Sequence, residues 1–109
     1  MADVIKVLGQ IAPVATTVTP LYTVPDLAQT TISSFVACNR NVGAQTFRLS
    51  AHVEGAVASD KQYLFYDKSV AANDTLTVVI GMTLNQADVL KIYASSGDMS
   101  FNLFGVETS

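Results

Sequence analysis

Charge is what this 109-residue sequence has least of. Only 14% of its residues are Asp, Glu, Lys or Arg, against roughly 25% in ordinary soluble domains, and half are hydrophobic. A domain so poor in charge either buries an unusual share of its surface or shares that surface with copies of itself. Obligate interfaces resemble a core cut in half, so assembly into a homo-oligomer is the more economical reading. The six basic residues, Lys6, Arg40, Arg48, Lys61, Lys68 and Lys91, are scattered, and the net charge is −3. That leaves no basic stripe, and nucleic acid is not expected as a partner. The single cysteine, Cys38, cannot staple the chain internally; next to Val36 and Ala37 it reads as a small buried thiol, compatible with a reducing cytoplasm. No stretch approaches the roughly 20 apolar residues of a membrane span. Residues 4–15 are apolar enough to be tested as a secretory signal, but Lys6, Gln10 and Pro13 interrupt them. Synthesis in a cytoplasm, with no membrane partner, is the expectation.

Reactive chemistry is equally sparse. Nucleophilic catalysis needs a nucleophile, a base within reach and a group that orients the base. The one histidine, His52, falls on the polar side of its segment with Glu54, where it reads as a surface residue. Cys38 would lie nearby in a hairpin, but a cysteine–histidine pair in mid-strand without a glycine-rich oxyanion loop is a poor catalyst. The carboxylates Asp26, Asp60, Asp67, Asp74, Asp88 and Asp98 are spread through turns without calcium-loop spacing. Aspartate in a turn already serves by bonding to nearby backbone. Asn73-Asp74-Thr75 matches a glycosylation sequon, a chance match without a secretory signal. The sequence therefore reads as non-enzymatic, with no catalytic, cofactor-binding or metal residue assigned.

What the sequence does have is alternation. In residues 45–54, Phe47, Leu49, Ala51 and Val53 point one way while Arg48, Ser50, His52 and Glu54 point the other, the period-two signature of a half-buried strand. Similar segments are expected at 4–9, 16–24, 29–38, 61–67, 75–84, 89–94 and 99–106. Pro20 sends the second to a sheet edge or breaks it, and Gly81 marks a bulge in the sixth. The polar turn at 39–43 suggests that 29–54 is a hairpin with a five-residue loop. Asp88 is the one residue placed to cap a turn of helix. About eight strands joined by short turns predict an all-β fold: a single-domain antiparallel β-sandwich over residues 1–109, jelly-roll-like or immunoglobulin-like, with little or no helix.

Two places are candidates for assembly contacts. The N-terminal arm, residues 1–9, carries Val4, Ile5, Val7 and Leu8 with little to solvate them. It should close its own sheet or add a strand to a neighbour's, and the second is favoured here. Tyr63 and Tyr66 fall on opposite faces of one strand, so that strand is covered on both sides or offers one face to a partner.

Several short phrases occur in a telling order: Lys6-Val7-Leu8-Gly9-Gln10, Leu21-Tyr22-Thr23-Val24-Pro25, Cys38-Asn39-Arg40, Ala71-Ala72-Asn73-Asp74-Thr75 and Phe101-Asn102-Leu103-Phe104-Gly105-Val106-Glu107. Together they resemble small virion-associated proteins of tailed bacteriophages, particularly those of cyanobacteria and other aquatic bacteria, over almost the whole chain. The chain departs at Val53-Glu54-Gly55, where the resemblance leads one to expect Arg-Pro nearby. The resemblance implies a structural component of a virion, with major capsid or tail proteins as partners. An outer capsid decoration (cement) protein is the leading expectation. The alternative is a tail, neck, baseplate or fibre component, which would then bind host-surface glycan through Tyr63 or Tyr66. No functional residue transfers from the resemblance.

Overall fold

The alternating segments do become strands, eight of them. In the computed structural model, which describes residues 2–109, they are β1 (Asp3–Ile11), β2 (Thr19–Thr23), β3 (Gln29–Asn39), β4 (Gln45–His52), β5 (Tyr63–Val70), β6 (Thr75–Leu84), β7 (Val89–Ala94) and β8 (Met99–Thr108). Two four-stranded antiparallel sheets result, one in the order β1-β8-β3-β6 and the other β2-β7-β4-β5. The first strand thus pairs with the last, the second with the seventh, the third with the sixth and the fourth with the fifth. The chain is one long hairpin, turning back between β4 and β5 and rolled up so that its successive strand pairs alternate between the two sheets, which is the jelly-roll arrangement and not the immunoglobulin one.

The apolar face of each strand meets the other between the sheets. Phe35, Ile32, Phe101, Met99 and Leu103 from the first sheet pack against Phe47, Leu49, Leu90 and Ile92 from the second, all fully buried. Phe35, Phe47 and Phe101 form a triangle with ring centroids 5.5–6.0 Å apart, and Phe65 closes on two of them. Such pairs add about 0.5–1.5 kcal/mol each beyond their buried area. One polar cluster also spans the layers. Tyr22 on β2 donates to Glu107 on β8 at 2.5 Å and lies 2.8 Å from the Thr30 hydroxyl on β3, while Lys6 on β1 pairs with Glu107 at 2.8 Å. Burial pushes the Tyr22 phenol up to about 12, helped by Glu107; Lys6 and then Tyr22 hold the Glu107 carboxyl below its ordinary range.

Several expectations need correction. Residues 29–54 are not a hairpin, because β3 and β4 lie in different sheets. The buried Asn39 side chain makes the crossing, donating to the Gly43 and Val70 carbonyls at 3.0 Å each and accepting from the Asn41 amide. The arm is a nine-residue edge strand, β1, paired with β8 in its own sheet. Val4, Ile5 and Val7 remain exposed and Leu8 packs on the core; Met1 lies outside the described residues. The strand at 45–54 ends two residues early, at His52. Val53 is then 69% exposed in a 3-10 turn, while His52 is only 2% exposed. Cys38 is half-buried between Ser100 and Thr75 and is not a core residue. Pro20 is indeed on an edge strand, and β6 has its extra residue at Ile80–Gly81, opposite Ser33. Asp88 caps no helix; it accepts from the Asn85 and Glu54 amides.

Candidate functional site

Cross-strand partners share a sheet face, so the pairing fixes what each sheet shows to solvent. On the outside of the first sheet, Ile5, Val106, Thr31 and Thr83 form one row. Val7, Phe104, Ser34 and Val79 form the next, and Gln10, Asn102, Val36 and Thr77 the third. Ser100, Cys38 and Thr75 finish the grid, with Arg40 reaching in from a loop to donate to the Ser100 hydroxyl at 2.9 Å. None of the residues in these rows is charged. Ile5 is 84% and Val79 85% exposed. From a strand spacing of about 4.8 Å and a rise of about 3.3 Å per residue, the grid covers roughly 500 Å². Asp3, in the next row with Thr108 and Gln29, and Arg40 at the far end bound this uncharged area.

The grid ends at β6, whose outer edge has no partner strand. The other three edges carry the features that discourage further pairing. The edge strand β1 has Lys6 and an irregularity at Leu8; β2 is five residues long and contains Pro20; β5 has two irregularities together with Asp67 and Lys68. From Thr75 to Leu84 there is neither a charge nor a proline, and the one bulge sits past the middle of the strand.

The outside of the second sheet is different in kind. Ser50 on β4 lies between Tyr63 on β5 and Lys91 on β7, and Arg48 faces Tyr93 on β7. Tyr63 and Tyr66 come to the same side, with ring centroids 4.9 Å apart and planes near perpendicular. Strict alternation would separate them. Leu64 has no partner in β4, however, and this extra residue changes the parity of the strand. A second extra residue, Asp67, adopts a left-handed conformation (φ 51°), which Asp tolerates better than most residues. Its carboxylate accepts from Arg48 Nε at 2.7 Å and Nη2 at 3.3 Å. The same guanidinium is sandwiched by Tyr66 and Tyr93, 4.2 and 4.6 Å from the ring centroids. Asp67 above all raises the Arg48 pKa, so this cation is fixed and neutralised. Beneath them His52 is locked: its Nδ1–H donates to the Ala56 carbonyl at 2.9 Å, and in the neutral ring Nε2 accepts from the Ser50 hydroxyl at 2.8 Å. The loop over this end is closed by a reciprocal cap between Ser59 and Gln62.

The six expected contact residues are therefore divided. Ile5 and Val7 belong to the uncharged grid, Val4 and Leu8 turn toward the other side of β1, and Tyr63 and Tyr66 sit on the opposite outer face of the sandwich. Cys38 and His52 likewise lie toward opposite faces and form no pair. Sequence reasoning missed Val79, Phe104, Val106, Lys91 and Tyr93. The uncharged run Thr75–Leu84 was the available signal for the first of these. Compared with protein-family models and with curated proteins, the chain matches none.

Proposed function

We propose that this chain is a non-enzymatic structural subunit of a tailed-phage virion, an outer capsid decoration protein that works as a cluster of identical copies. The observation that carries the reading is the uncharged grid of the first sheet running into the open β6 edge. An apolar, Ser/Thr-rich face of this kind loses little solvation when covered and repels no copy of itself. Main-chain pairing along β6 would join protomers, and the grid would then lie on the particle surface or on a neighbouring subunit. Weak contacts per copy suffice when many copies bind together. In the alternative, a tail, neck, baseplate or fibre component, the same grid would contact tail proteins.

The test is sedimentation of the purified protein and of the double variant Thr77→Lys, Val79→Lys, both positions being on the exposed side of β6. The wild type should associate as concentration rises, and the variant should remain monomeric with a melting curve like the parent's. A variant that associates like the wild type, or a wild type that stays monomeric throughout, would contradict the proposed interface.

A further inference from the structure

The cleft on the second sheet has a chemistry of its own, independent of the assembly reading and on the opposite face of the sandwich. It encloses about 80 Å³ and is walled by Tyr63, Tyr93, Ser50, His52 and Gln62, with Lys91 in the wall across the sheet from Ser50. Two cations border it, and they are not equivalent. Arg48 is held by Asp67, whereas the other ion pair among the described residues is Lys6–Glu107, so Lys91 has no carboxylate of its own. Ser50, His52 and Gln62 have already committed hydrogens to protein partners. The hydroxyls of Tyr63 and Tyr93 have no hydrogen-bond partner among the described residues. One ammonium and two phenol donors therefore border a small cleft with aromatic walls and a net positive charge.

We propose that this cleft binds the carboxylate of an acidic saccharide, a uronic-acid unit. The carboxylate would take the charge of Lys91 and accept from the tyrosine hydroxyls, since an ionised acceptor is the group that most strengthens such bonds. The apolar edge of the sugar ring would lie against the tyrosine rings, whose amphipathic character suits a ligand with one apolar face and one wet edge. The volume admits one carboxylate with part of its ring, so the rest of a longer chain would lie outside it, directed away from Asp60, whose carboxylate beside Tyr63 and Tyr66 would repel a second uronate. Arg48 would act as a positioning residue, holding Tyr93 in place through its stack.

The test is titration of the ¹⁵N-labelled protein with tetragalacturonate, followed by amide shifts, with maltotetraose as the neutral saccharide and tetraglutamate as the acidic peptide. Shifts should concentrate at Tyr63, Lys91 and Tyr93 with tetragalacturonate and be absent with maltotetraose. In Lys91→Met, which keeps the aliphatic stem, and in Tyr93→Phe, which keeps the stack on Arg48, the affinity should fall about tenfold or more while the spectrum stays that of a folded protein. An equal response to tetraglutamate would overturn the saccharide as the ligand. No response to tetragalacturonate, or the same response in both variants, would overturn the site.

Discussion

His52 and Val53 exchange the roles that alternation assigns them, and replacing each in turn measures that exchange. His52 is 2% exposed and spends both ring nitrogens on protein partners at 2.8 and 2.9 Å; Val53 is 69% exposed and contributes nothing to the core. His52→Ala deletes two hydrogen bonds worth about 1 kcal/mol each and leaves the Ala56 carbonyl to find another donor. The cavity left by the ring raises the total to about 3 kcal/mol. At roughly 4–8 °C per kcal/mol for a domain near this size, the melting temperature should fall by about 12–24 °C. Val53→Asp, at an exposed turn position, should stay within about 0.5 kcal/mol of the parent. Circular-dichroism melts of the two variants decide the matter. If Val53→Asp melts far below the parent and His52→Ala does not, the strand continues through residue 54 and the placement of the 53–62 loop is wrong.

The cluster of Lys6, Tyr22 and Glu107 predicts a pH dependence. Because Glu107 titrates below 4.5 when folded, the unfolded chain takes up its proton first; the carboxylate's contribution is complete above 4.5 and drains away as pH falls through the folded value. Glu107→Gln should lose about 1–2 kcal/mol at neutral pH and flatten that acid limb in urea melts. Tyr22 gives the opposite limb: the unfolded phenol ionises near 10.0 and the folded one at about 12, so stability should decline as pH rises between them, and Tyr22→Phe should remove this decline. Gly105→Ala should destabilise by about 1–3 kcal/mol, because a Cβ there would meet the Thr31 carbonyl oxygen and the Ile32 Cα, neither of which yields easily. In the same melts Gly81→Ala, with nothing within 4 Å, should be nearly silent.

Strand existence was legible in the sequence because period-two alternation is imposed by the pleat itself; 75–84 and 89–94 are found where expected. Pairing was not legible. Alternation says which face a residue takes and is silent on which sheet the next strand joins, so the polar turn at 39–43 looked like a hairpin loop although it is a crossing fixed by Asn39. Parity failed wherever a residue lacked a partner. Leu64 is invisible to a periodicity count, and it alone brings Tyr63 and Tyr66 to one side. The buried His52 was misplaced for a related reason, since a polar residue is assigned to water unless its partners are known, and one of them comes from the following loop. Of the surfaces, the low overall charge implied that some part of the exterior is uncharged; only the pairing of β1, β8, β3 and β6 reveals that many of the uncharged residues share one face.

The central claim is that this protein is a many-copy subunit of a virion, and counting it in purified particles tests that most directly. Quantitative mass spectrometry against the major capsid protein should find of the order of hundreds of copies per particle, as decoration by multiplicity requires. Only a few copies, in a small multiple of three or six, would move the protein from the head to the tail, and its absence from the particles would contradict the account.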